Sequence, residues 1–119
     1  MVQALGIGGF FFRAKNPSLL AEWYERHFEI TQMGGYGDPS WDQEAGETVF
    51  TPFDYDTKYF GRPEQAWMIN FRVENIDDAV NELRSAGIEV EVDPETHPNG
   101  RFARLTDPEG NPVELWEPV

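Results

Sequence analysis

The order strand, asparagine, helix occurs twice along this chain. Laying Asn16 on Asn75 places residues 6 to 14 on 65 to 73 and the helix beginning at Pro17 on the one beginning at Ile76, with Arg13 on Arg72 and Tyr24 on Leu83. A repeat of half the length in a chain of 119 residues leaves no room for two independent cores. The two copies must share one body, so a single domain over residues 1–119 is expected, with one module over about 4–60 and a second over about 64–119.

Each copy is built from recognisable pieces. LGIGGFFFRA, residues 5 to 14, reads as a short buried strand stopped by NPS, where Pro17 and Ser18 open a helix. In PSLLAEWYERHF, Leu19, Leu20, Trp23, Tyr24 and Phe28 recur at three- and four-residue steps and make an apolar stripe. Residues 31 to 65 are rich in Gly, Pro and Asp, and predict short antiparallel strands such as GETVFTPF with an exposed excursion around DYDTKYFGRPEQ. AWMINFRV, residues 66 to 73, alternates with period two: Trp67, Ile69, Phe71 and Val73 on one face, Met68, Asn70 and Arg72 on the other. NIDDAVNELRSAG is a second helix, with Ile76, Ala79, Val80 and Leu83 as its stripe and Gly87 as its stop. IEVEVD, GRFARLTD and PVELWEP then read as strands separated by turns at DPETHPNG and DPEGN.

Charge and composition exclude several roles. Nine basic against twenty-two acidic residues give a net charge of -13, which repels phosphate backbones and anionic lipid surfaces, so no nucleic-acid or membrane partner is expected. The absence of cysteine removes disulfides, thiolate metal sites and cysteine nucleophiles. The apolar start is short, has no basic stretch before it and runs directly into Arg13 and Lys15, so a cytoplasmic protein without a leader or span is expected.

Three stretches, taken in order, resemble the vicinal oxygen chelate superfamily of the glyoxalase and bleomycin-resistance type: the first strand followed by NPSLLAEWYERHF, then FRVENIDDAVNELRSAGIEV, then FARLTDPEGNPVELWEP. The resemblance covers nearly the whole chain and is weakest over residues 31 to 65. It implies an α+β fold of two βαβββ modules that curl a mixed sheet around an open cleft, with a homodimer completing the walls. Metal-dependent members hold a divalent ion through four side chains, of which Glu114 matches the glutamate of the last strand. The other matching positions are Gly9, Met68 and Phe50, or Thr51 in a register shifted by one. Glycine offers no donor and a thioether is a weak one for hard ions, so no metal and no cofactor is expected. His27 and His97 do not converge on a replacement site: His27 falls late in the first helix and His97 in a solvated loop.

If one strand face packs on the helices, the other lines the cleft. That assigns Phe11, Arg13, Met68, Asn70, Arg72, Phe102, Arg104 and Trp116 to ligand binding, beside Glu114 as the candidate catalytic carboxylate. Phe10, Phe12, Trp23, Trp67 and Ile69 fall to the core. A carboxylate in a partly dry cleft needs a partner, and Arg72 or Arg104 is expected to supply it. Surplus arginine charge would receive an anionic group on a small ligand whose apolar part meets Phe11, Met68, Phe102 and Trp116. Small-molecule binding is the leading expectation. The alternatives are a metal-dependent lyase, isomerase or ring-cleaving dioxygenase with atypical ligands, a metal-free enzyme with Glu114 as general base, and a dimeric interaction module without a ligand.

Overall fold

The computed structural model describes residues 1–119. Its elements are α1 (Pro17–Phe28), β1 (Ile69–Arg72), α2 (Ile76–Ser85), β2 (Glu91–Val92), β3 (Gly100–Thr106) and β4 (Pro112–Pro118). The strands form one mixed sheet in the order β1-β4-β3-β2. β4 runs parallel to β1 and antiparallel to β3, so it is hydrogen-bonded along both edges.

The equivalence of Asn16 and Asn75 appears as an equivalence of helix caps. The Asn16 side chain accepts from the Leu19 amide at 3.2 Å and the Asn75 side chain from the Asp78 amide at 3.0 Å, each satisfying a donor that the first helical turn cannot. Pro17 occupies the first turn of α1, where its missing N–H costs nothing. Glu117 of β4 accepts from the Ile76 amide at 2.8 Å and locks the start of α2 to the sheet. At the other end of α2, Gly87 turns left-handed at φ 84°, the Gly87 amide donates to Arg84 at 3.0 Å and the Ile88 amide to Leu83 at 3.1 Å. That pair of bonds is the Schellman stop anticipated from the glycine.

Both helices lie on one face of the sheet. Leu20 and Tyr24 of α1 and Ile76, Val80 and Leu83 of α2 meet Ala103, Leu105, Val113 and Leu115, with Ile76, Val113 and Leu115 fully buried. A buried carboxylate ties α1 to the β3–β4 turn. Asp107 accepts the Tyr24 hydroxyl at 2.7 Å, the Asn111 side-chain amide at 2.8 Å, and the Glu109 and Asn111 backbone amides at 2.9 and 3.0 Å. Burial first, and this carboxylate second, push the Tyr24 phenol far above its ordinary range. Glu109, two residues further in the same turn, accepts the Lys15 amide at 2.6 Å and the Asn16 amide at 3.0 Å, so the turn holds α1 at its start as well as its middle.

The first module departs from expectation. Residues 5 to 14 and 31 to 65 form no strand, so one sheet is completed by the second module alone. Phe10 and Phe12 contact Trp67 at ring separations of 5.0 and 5.1 Å, but at 44% and 38% exposed they do not join the core expected of them, and Phe11 between them is 92% exposed. The physical reason is that strands are stabilised by a neighbour's backbone, and no edge of this sheet receives these segments. The exposed surface, 9540 Å², exceeds the roughly 6,600 Å² typical of a compact monomer of this mass. The radius of gyration, 15.2 Å, exceeds the roughly 13.5 Å of a compact chain of this length. No helix is long and apolar enough to cross a membrane.

Because Leu115 is fully buried at the centre of the core, with both helices above it, Leu115→Ala is expected to lower unfolding stability by about 2–5 kcal/mol. Chemical denaturation of the two proteins checks it.

Candidate functional site

The face of the sheet away from the helices carries the candidate site, and the strand register sets its layout. Glu114 pairs with Asn70 on one side and Arg104 on the other, and Trp116 pairs with Arg72 and Phe102. Successive side chains alternate across a sheet, so Asn70, Arg72, Phe102, Arg104, Glu114 and Trp116 share one face. Met68 lies half-buried just before β1. Six of the eight anticipated cleft residues and Glu114 therefore come from one module. Phe11 is exposed and Arg13 lies elsewhere, lining a concavity of about 340 Å³ with Lys15, Arg62 and Asn111. A second concavity of about 430 Å³ runs between α1 and the β3–β4 turn, past Leu19, Trp23, Arg26 and Glu109. Neither of these two concavities is lined by Glu114 or by its partners Asn70 and Tyr59.

Glu114 is only 7% exposed, and its partners are not the arginines that the sequence suggested. Asn70 Nδ2 donates to Oε1 at 2.8 Å and the Tyr59 hydroxyl donates to Oε2. Arg72 instead reaches the backbone, donating to the Glu44 and Ala45 carbonyls at 2.8 and 3.5 Å. Arg104 stands directly across from Glu114 in register, but its guanidinium covers the Tyr59 ring, 4.4 Å from the centroid. The phenol thus separates cation from anion: it gives its proton to the carboxylate and its π-face to the guanidinium. Burial of the ring and the hydrogen bond to Glu114 raise the Tyr59 pKa to about 12, with Arg104 pulling the other way.

Around this trio the walls are aromatic. Phe102 and Trp116 lie parallel, 6.3 Å apart at an interplanar angle of 4°, and Phe53 stacks on Tyr59 at 5.9 Å and 20°. Trp116 is more deeply set than expected, 4% exposed, and its buried indole N–H is satisfied by the Asn99 carbonyl at 2.8 Å. Tyr59 is the residue that sequence reasoning missed. Its polar tip on an aromatic body in DYDTKYFGRPEQ was the available signal, but a contact across 55 positions is invisible to periodicity.

Of the positions matched to the family's ligands, Gly9 has no donor, Met68 offers only a thioether, Phe50 is exposed, and each oxygen of Glu114 already accepts one hydrogen bond, from Tyr59 or Asn70. The family's four-ligand arrangement does not fit these residues. Asp93, Glu95 and His97 do bring ligand-type atoms within 4.8 Å of one another. His97 was expected to be solvated alone, but its Nε2 lies 2.9 Å from Asp93. That hydrogen bond raises the His97 pKa, while the Glu95 amide and then His97 lower that of Asp93.

The family model of the Glyoxalase/Bleomycin resistance protein/Dioxygenase superfamily matches residues 6–115. The chain belongs to that superfamily. A solved structure of TnmS3, an antibiotic binding protein from Streptomyces sp. CB03234, shares the fold at 19% identity, covering 98% of this chain and 100% of that one, with a TM-score of 0.59. Lactoylglutathione lyase from Agrobacterium tumefaciens shares it at 19% identity, 87% of each chain and a TM-score of 0.54. The chain spans 40% of the length of a glyoxalase family protein from Enterococcus faecalis, at 31% identity over 42% of this chain and a TM-score of 0.38. A search of curated proteins gave no match.

The Tyr59 proton is held more tightly in the folded chain than in the unfolded one, where a phenol titrates near 10.0. Its contribution to stability is therefore complete below pH 10 and lost as pH rises from there through about 12. Subtracting the near-ultraviolet phenolate titration of Tyr59→Phe from that of the unaltered chain is expected to leave a transition centred near pH 12. The same transition should move down in Glu114→Gln, where no carboxylate faces the phenol.

Proposed function

We propose that this superfamily member binds a small organic molecule on the Glu114 face of its sheet, without a metal ion, and does so as a homodimer. The observation that carries the reading is a buried carboxylate held by two neutral donors, Asn70 and Tyr59, beside the parallel rings of Phe102 and Trp116. Small-molecule sites commonly combine apolar walls with a few placed polar groups. The fold shared with an antibiotic binding protein supports binding, and the fold shared with a lactoylglutathione lyase keeps catalysis as the alternative. An anionic group on the ligand would reach Arg72 or Arg104 only after these leave their present partners, the Glu44 and Ala45 carbonyls and the Tyr59 ring. Proton abstraction by Glu114 gains from the absence of a guanidinium partner and loses from the occupation of both its oxygens.

A ligand present at a hundred times its dissociation constant stabilises the folded state by about 2.7 kcal/mol. For a chain of this size that is a rise in melting temperature of about 10 °C. A thermal-shift screen of small aromatic compounds and divalent metals, with elemental analysis of the purified protein, is expected to yield a stabilising compound and no stoichiometric metal. Stoichiometric metal whose removal lowers the melting temperature would overturn the metal-free part.

The dimer rests on the uncovered first module. Leu5, Ile7, Phe11, Val49 and Phe50 are exposed in segments that form no helix or strand in their own chain, and a second copy brings matching segments by symmetry. Light scattering is expected to give twice the 13.7 kDa chain mass. Phe11→Asp together with Phe50→Asp should return the single-chain mass; a monomeric unaltered chain would overturn the dimer.

A further inference from the structure

Tyr59 occupies the site as a ligand would. Its hydroxyl donates to Glu114, its ring lies under Arg104 and against Phe53, and yet it is 39% exposed. The loop that carries it is held by its own short turns: Thr57 amide to Asp54 carbonyl at 3.0 Å, Gly61 amide to Lys58 carbonyl at 3.2 Å, and Tyr59 amide to Thr57 Oγ1 at 3.2 Å. The Tyr59 hydroxyl makes the one hydrogen bond between residues 54 to 61 and the sheet. A turn unit whose single hydrogen bond to the sheet is one phenol can leave as a unit, losing that bond and its ring contacts while its internal bonds survive.

What would replace it is written in the partners it leaves behind. Glu114 keeps Asn70 on one oxygen and loses the donor to the other, so the place that Tyr59 vacates favours another donor and repels a second carboxylate. Arg104 is left above a flat slot, favouring the face of an aromatic ring. Phe102, two residues along β3 on the same face, extends the slot toward Trp116. A donor hydroxyl on a flat ring satisfies all of these together.

We propose that Tyr59 is a resident stand-in for the ligand, and that the Glu114 site takes a hydroxylated aromatic compound whose hydroxyl displaces the Tyr59 phenol from Glu114. The proposal rests on the small-molecule reading above and names its ligand class. Because the stand-in competes with the ligand, the apparent dissociation constant of the unaltered chain equals the intrinsic one divided by the fraction of molecules with Tyr59 withdrawn.

The test is calorimetric titration of the full chain with 2-naphthol, 2-naphthoate and naphthalene, in parallel with Tyr59→Ala, Tyr59→Phe and Glu114→Gln. The expected result is that 2-naphthol binds Tyr59→Ala about tenfold or more tightly than the unaltered chain, with Tyr59→Phe between them. Naphthoate and naphthalene should bind Tyr59→Ala at least about tenfold more weakly than naphthol, and Glu114→Gln should erase the preference for naphthol over naphthalene. Should Tyr59→Ala fail to fold by circular dichroism, the tightening in Tyr59→Phe decides. Equal or weaker naphthol binding in the folded Tyr59 variants overturns the stand-in. If compounds from the thermal screen bind with an affinity indifferent to Tyr59, the stand-in falls and small-molecule binding survives; if no compound binds any variant, both fall.

Discussion

β4 is the strand on which everything else is hung. It is hydrogen-bonded on both edges, β1 along one and β3 along the other, and residues from Pro112 through Trp116 are all buried. Val113 and Leu115 point into the helices and close the core, whereas Glu114 and Trp116 point the other way. A central strand cannot be displaced without dismantling the sheet, so a carboxylate placed on it is carried into a buried position whether or not a charge is welcome there. Its surroundings must then supply hydrogen bonds, because an unpaired buried carboxylate is more costly than almost any other polar defect.

The chain answers that demand twice by the same device. Asp107 and Glu114 are both buried carboxylates, and each takes a tyrosine hydroxyl and an asparagine side-chain amide: Tyr24 and Asn111 for the first, Tyr59 and Asn70 for the second. The surroundings separate their roles. Asp107 also accepts two backbone amides within its own turn and receives Tyr24 from a helix that is packed into the core, so it is a structural clasp. Glu114 accepts no backbone amide, and its tyrosine comes from a loop whose remaining hydrogen bonds are internal. Two clusters of the same composition therefore differ in how many bonds tie them to the rest of the fold, and the less tied one sits beside the rings of Phe102 and Trp116.

Much of the second module was legible from residues 66 to 118. The period-two run through Trp67, Ile69, Phe71 and Val73, the asparagine caps, the glycine stop at Gly87 and the DPEGN turn are local signals, and local signals act through a few neighbouring residues whatever the rest of the chain does. The first module was read less well for the opposite reason. GGFFFRA and GETVFTPF have the composition of strands, but a strand exists only where another backbone meets it, and here none does. Phe10 and Phe12 still touch Trp67 while Phe11 does not, but without a neighbouring strand all three stay exposed.

For the site, the sequence alone determined which side chains share a face: alternation along three strands put Asn70, Arg72, Phe102, Arg104, Glu114 and Trp116 together, and the family resemblance marked Glu114 among them. Only the tertiary structure decided what Glu114 touches. Opposite charge and adjacency in register favoured Arg104, but the loop around Tyr59 folds back and slides a phenol between them. Pairwise preference can be read from residue types, whereas the path of a loop depends on every contact along it, and that path chose a neutral donor over a cation.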